Sequence, residues 1–249
     1  MQYFGFDRTL GQMRTFGFGL LEWLPTELFS TGAQGAFYLP EPENLFQDAA
    51  MTIPVTASGD PVGAMMDLSG NGNSAKQSVS TNRLIYSTNG TFNWIAFDGV
   101  DDFLQATYGA AVTPPCTLSL AMNRLDTATG AVLLSGPDAE NRHQISISGT
   151  GTLIGVSGSS VLSGSSLPIG KHIITLVING ADSSLRVDGI VTVSGTLDDS
   201  VATTGLTIGA VWFGSYPIRQ DVYGIVHAEG ISKVSQIESY LAQKSGVTL

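Results

Sequence analysis

The stretch Lys171-His172-Ile173-Ile174-Thr175-Leu176-Val177-Ile178-Asn179-Gly180, continued by Ser184-Leu185-Arg186-Val187-Asp188-Gly189-Ile190-Val191-Thr192-Val193, decides the fold class. Its first eight residues are apolar on both faces, as in a strand buried between two layers. Asn179-Gly180 and Asp188-Gly189 are turn dipeptides whose residues tolerate positive φ. They lie nine residues apart, with β-branched residues beside each. The alternating run 184–187 and the returning run 190–193 complete an antiparallel meander.

Working outward, short strands are predicted at 93–97, 117–122, 131–134, 144–148, 153–156, 205–208 and 222–227. Strands at this spacing, with no helices between them, indicate a sandwich rather than a βαβ sheet. One helix is predicted near the end of the chain. Ser235 precedes Glu238 at capping-box spacing, Val234, Ile237 and Leu241 line one face, and Gly246 follows as a stop. The fold class is therefore all-β: an antiparallel β-sandwich with one short C-terminal helix and an irregular N-terminal leader. The chain has 249 residues, 30 Gly and 10 Pro, and 13% of it is charged. That charge is about half the usual ~25%, which argues against long solvated helices and against a charge-driven disordered chain. A chain of this length buries roughly 70% of its unfolded surface and needs no disulfide staples.

Eleven Lys and Arg against 21 Asp and Glu give a net charge of −10. Nucleic-acid binding is not expected, because it depends on cation density at phosphates. Membrane insertion is not expected either: 16–29 is interrupted by Glu22, Pro25 and Glu27, and 143–170 is Gly/Ser-rich. The N-terminus lacks the basic and continuous apolar regions of a signal peptide. The single Cys116 excludes an internal disulfide and a cage of several cysteines, and reads as a small buried hydrophobe.

Residues 1–45 differ in texture from the rest. Aromatics, glycines and prolines alternate there without a period of 2 or 3.6, as in Phe37-Tyr38-Leu39-Pro40. A segment without its own core either packs on the flank of the main domain or docks on another protein. Trp23, Phe29, Phe37 and Tyr38 are the expected anchor residues, Trp23 first, since Trp is over-represented at binding hot spots.

Four ordered stretches resemble the laminin-G-like, concanavalin-A-like jelly roll: Asp67-Leu68-Ser69-Gly70-Asn71-Gly72-Asn73-Ser74-Ala75, Ile95-Ala96-Phe97-Asp98-Gly99-Val100-Asp101-Asp102-Phe103-Leu104, the hairpin from Gly170 to Gly189, and Leu206-Thr207-Ile208-Gly209 with Tyr223-Gly224-Ile225-Val226 and the closing helix. The resemblance implies a jelly-roll domain over residues 46–249. The leader, at Gln34-Gly35-Ala36-Phe37-Tyr38 and Leu45-Phe46-Gln47-Asp48, is similar to segments that precede this domain in tailed-bacteriophage virion proteins. That similarity implies a structural protein located in the virion, attached to other virion proteins through the leader and repeated as a homo-oligomer, a trimer before a dimer. The alternative is a carbohydrate-binding module, with or without calcium.

Asp67, Ser69, Asn71 and Asn73 have the odd-position oxygens of an EF-hand loop, but position 12 is Ser78, so the favoured reading is a turn closed on its own backbone. The resemblance implies that this turn lies near the second motif, which makes Asp67, Asp98, Asp101 and Asp102 the candidate calcium ligands. Catalysis is not expected. The seven Glu are scattered, no paired-carboxylate run is present, and His143, His172 and His227 each lie in strand-like surroundings, where structural or surface roles are commoner. Glycan binding needs an aromatic platform beside polar groups. Trp212, Phe213 and Tyr216, in a loop between two strands, are the candidates for a glycan or a subunit contact, and Trp94 is assigned to the core.

Overall fold

The computed structural model describes residues 23–127 and 129–249, together with a short antiparallel pairing of Phe4–Phe6 with Met13–Thr15. The chain forms an all-β antiparallel sandwich of two nine-stranded sheets, closed by the helix Val234–Ser245. Among the described residues no helix is long and apolar enough to cross a membrane.

One sheet runs in the order Ile190–Gly195, Ser183–Val187, Gly170–Ile178, Cys116–Arg124, Arg219–Glu229, Asn93–Asp98, Leu84–Thr88, Pro61–Val62. Its longest strand, Arg219–Glu229, pairs along one edge with Cys116–Arg124. The other edge is shared: Asn93–Asp98 takes the first half and Gly35–Tyr38 the second. The opposite sheet is centred on Ala131–Ser135, Thr203–Ile208 and Leu104–Val112. Between the sheets lies one apolar core that includes Leu118, Leu120, Met122, Leu133, Leu134, Ile145, Leu176 and Ile225. As the meander predicts, Gly170–Ile178 is an interior strand, and Asp188 and Gly189 both adopt positive φ at the next turn. The turn at Asn179 differs, because a 3-10 turn over Gly180–Asp182 separates the two strands.

The outer face of the first sheet is also apolar in part. Ile237, Tyr240 and Leu241 of the helix pack on Ala121, Ile173, Tyr223 and Val226. The pairing of Cys116–Arg124 with Arg219–Glu229 shifts register between Ala121 and Met122. A Cβ on Gly224 would lie 2.9 Å from Leu241 Cδ2 and 3.0 Å from Leu39 Cδ2, so glycine there lets helix and sheet close up. The helix ends as predicted, with Gly246 left-handed at φ 75° and its N–H on the Ala242 carbonyl. Its beginning differs. Lys233 occupies the N-cap without a side-chain bond, and Glu238 instead receives Arg186 through Nε at 2.7 Å and Nη2 at 2.9 Å. A buried carboxylate gains more from a two-pronged guanidinium than from a helix-end amide, so the tertiary pair displaces the capping box.

Two expectations about the leader are corrected. The boundary expected at residue 45 moves toward the N-terminus, because Gly35–Tyr38 is a strand of the sandwich with all four residues buried. Phe37 and Tyr38 are 2% and 0% exposed and serve the fold, not an outside partner. Phe29 is likewise buried, in the cluster under the helix, and Trp23 packs against that cluster. Residues 1–22, the rest of the expected anchor, lie outside the described residues apart from the short backbone pairing.

Candidate functional site

The helix packs over Cys116–Arg124, Gly170–Ile178 and Arg219–Glu229, but Asn93–Asp98 and Leu84–Thr88 continue beyond its main contacts. There the outer sheet face forms a groove of about 660 Å³ lined by Trp94, Asp98, Asp102, Arg219 and Asp221, among others. Strand alternation and register explain the grouping. Trp94, Ala96 and Asp98 share one face of their strand, and the pairing sets Asp221 opposite Ala96 and Arg219 opposite Asp98. Side chains more than a hundred positions apart thereby meet on one surface.

Trp94 forms the groove's aromatic wall, with its ring centroid 5.8 Å from that of Tyr223. Lys171 lies over the Tyr223 ring, 4.7 Å from its centroid. Asp221 is buried and accepts a hydrogen bond from Asn123 Nδ2 at 3.0 Å. Burial raises its pKa, and the Asn123 bond and the charges of Lys171 and Arg219 oppose that rise. Asp102 is pushed up to about 6, first by burial and then by the charges of Asp98 and Asp101, although the Asp98 amide donates to its Oδ2 at 2.9 Å. One carboxyl of the groove therefore carries a proton for part of the time near neutrality while its neighbours accept hydrogen bonds. A flat aromatic face beside donors and acceptors suits the C–H face and hydroxyls of a sugar. A carboxyl with a raised pKa among other acidic side chains is also the equipment of acid-assisted glycosidic cleavage.

The expected calcium set divides in two. Carboxylate oxygens of Asp98, Asp101 and Asp102 lie within 4.8 Å of one another, and Asp67 is not among them. Asp67 is a clamp: its oxygens accept from the amides of Phe37 at 3.0 Å, Ser69 at 2.9 Å and Asn73 at 2.8 Å, and from the Ser69 hydroxyl at 2.7 Å. Asn71 and Asn73 donate to the Gly35 carbonyl. The whole turn thus fastens the strand Gly35–Tyr38, which corrects Asp67 as a metal ligand and bears out its reading as a backbone-closed turn. Phe213 and Tyr216 are 61% and 57% exposed, and Trp212 meets the Phe213 ring edge-on at 5.2 Å. This loop abuts the acidic turn: the position of a Cβ on Gly214 is 3.0 Å from the Phe103 ring. Trp94, assigned to the core from sequence, lies instead on the outer face. Arg219, Asp221 and Tyr223 are not among the candidate residues that the sequence offers. A single strand does not reveal which of its faces a distant helix leaves open.

No protein-family model and no curated protein matches the sequence. Solved structures share the fold at low identity. Domain 4 of AbnA, a GH43 extracellular arabinanase from Geobacillus stearothermophilus, in complex with arabinotriose, aligns with a TM-score of 0.58 and 17% identity over 84% of this chain and 98% of that one. An arabinofuranosidase complexed with arabinofuranosyl-alpha-1,2-xylobiose gives a TM-score of 0.64 at 12% identity over 89% of this chain and 64% of its own. A Trypanosoma rangeli sialidase gives 0.55 at 14% identity over 84% of this chain. The chain spans about a third of the length of the sialidase chains it matches, 33% in that case.

The expectation that catalysis is absent is corrected. The solved chains that share this fold include a sialidase, a domain of a GH43 arabinanase and an arabinofuranosidase. The absence of a paired-carboxylate run along one strand does not keep carboxylates apart in space. Here Asp98 and Asp102, from one turn, and Asp221, from a distant strand, line one groove.

Proposed function

We propose that this chain is a carbohydrate-recognition β-sandwich whose oligosaccharide ligand lies in the groove over Trp94. The observation that carries the reading is the arrangement of Trp94 with Asp98, Asp102, Arg219 and Asp221 around one open sheet face. It has independent support in the arabinanase domain, nearly all of which aligns with this chain and whose structure is in complex with arabinotriose. Stacking on Trp94 sets the plane of a sugar ring, and Asp221 and Arg219 select among hydroxyl orientations. A glycan array followed by calorimetry tests this. Trp94→Ala should weaken binding of any array hit by tenfold or more, about 1.4 kcal/mol, and Asp221→Asn should alter which glycan is preferred. Binding that is unchanged in Trp94→Ala would place the site elsewhere. Release of reducing sugar by the wild type but not by Asp102→Asn would add cleavage to recognition.

A second proposal concerns setting. Display of the domain as repeated copies on a phage particle is supported by the resemblance of residues 34–38 and 45–48 and by the exposed side chains of Phe213 and Tyr216, which suit a subunit contact. Light scattering decides the oligomer: a trimer that Trp212→Ala dissociates supports it, and a monomer at micromolar concentration counts against it.

A further inference from the structure

We propose that Cys116, His143 and His227 form a three-coordinate site for a soft monovalent metal ion, Cu(I), inside the sandwich. Cys116 and His227 come from adjacent strands of one sheet, and His143 faces them from the other. All three side chains are fully buried. His143 Nδ1 lies 3.2 Å from His227 Nε2 and 3.7 Å from Cys116 Sγ, and the three candidate donor atoms all lie within 4.8 Å of one another. An ion bound at ~2.0–2.1 Å from nitrogen and ~2.3 Å from sulfur would hold its donors about 3.4–3.8 Å apart, so the two distances from His143 need to change by only a few tenths of an ångström.

The outer partners match as well. His143 Nε2 lies 3.1 Å from the Val201 carbonyl, which can only accept, so this nitrogen carries the proton and Nδ1 presents its lone pair inward. His227 Nδ1 lies 3.1 Å from the Tyr108 hydroxyl. Ligating histidines characteristically have the second ring nitrogen tied to an oxygen in this way. Without metal, a single proton between His227 Nε2 and His143 Nδ1 satisfies both rings, with Tyr108 donating to His227 Nδ1. On binding, that proton moves to His227 Nδ1, which donates to the Tyr108 hydroxyl oxygen. The Cys116 S–H bond breaks, its proton passes to water, and a sulfur–copper bond forms; no oxidation state changes.

Charge and coordination number select the ion. The group holds one thiol, two imidazoles and no carboxylate. The nearby Glu229 carboxylate is turned to the Thr113 hydroxyl and amide and to the Gln34 amide. Cu(I) with one thiolate is neutral and suits soft donors, whereas Zn(II) would leave a net charge in the core and a fourth position for water to fill.

The full chain, unfolded and refolded without oxygen in the presence of Cu(I) and a chromogenic Cu(I) chelator, provides the test. One equivalent should remain with the protein, and copper-edge X-ray absorption should show one sulfur and two nitrogen ligands. Cys116→Ser and His143→Gln should each retain at least tenfold less. No retained copper, equal retention by Cys116→Ser, a ligand shell without sulfur, or retention of zinc in preference to copper would each overturn the assignment.

Discussion

The amide of Phe37 donates to Asp67 Oδ1 at 3.0 Å, and the Leu68 amide answers at 2.8 Å on the Phe37 carbonyl. A carboxylate thirty positions downstream thus fixes a strand that sequence alone places in the irregular leader. Asp67→Ala strands several buried donors at about 1–3 kcal/mol each, so a loss of about 3 kcal/mol or more is expected in denaturant melts. EDTA should leave the wild-type midpoint in place, because the chain itself supplies the partners of Asp67.

Phe29 belongs to the cluster beneath the helix, next to Phe37 and Tyr240. Phe29→Ala should cost about 3 kcal/mol, within the usual range for aromatic truncation in a core, and should lower Tm by several degrees. A change below one degree would return Phe29 to the surface role that sequence analysis gave it.

Asp102 is a carboxyl whose folded pKa, about 6, lies above its unfolded value of 3.8. The folded state therefore holds a proton that the unfolded state has lost. The resulting destabilisation is full above pH 6 and gone below pH 3.8. Asp102→Asn keeps an acceptor for the Asp98 amide and removes this penalty. Its Tm should exceed that of the wild type by several degrees at pH 7.5, with the difference shrinking toward pH 4.

The buried imidazoles act in the opposite sense. Burial lowers His143 to about 4 and takes His227 well below its ordinary value, with His143 adding to the effect. As pH falls from 6.5 the unfolded chain protonates first, so stability declines between pH 6.5 and 4, by about 3 kcal/mol for His143 alone. Because Asp102 and Asp221 partly offset this, the measurement belongs in Asp102→Asn. A flat stability profile over that interval would contradict the burial of both rings.

Much of the sandwich was legible because its signals are local. Asp188-Gly189 specifies its own turn, and Gly246 specifies its own helix stop. The strand Gly35–Tyr38 was hidden because it is short and buried throughout, which removes the alternation that marks a half-exposed strand. The groove was hidden for a different reason. Asp98 and Arg219 face each other only through strand register, and Trp94 reads as core until the extent of the helix is known. Likewise Ser235 and Glu238 carry the spacing of a cap, but Arg186, 52 positions from Glu238, claims the carboxylate.

Among the described residues the strand Gly35–Tyr38 pairs with Arg219–Glu229, and Gln34 and Glu229 are 195 positions apart. During synthesis at ~5–20 residues per second, the Phe37 side of the sheet therefore waits roughly 10–40 s for the strand that covers it. Closure joins segments almost two hundred positions apart and carries a large loop entropy, so it belongs to a late stage of folding. In that interval the nascent chain presents an unpaired aromatic edge, which makes ribosome-bound chains stalled before residue 219 the natural clients of a chaperone.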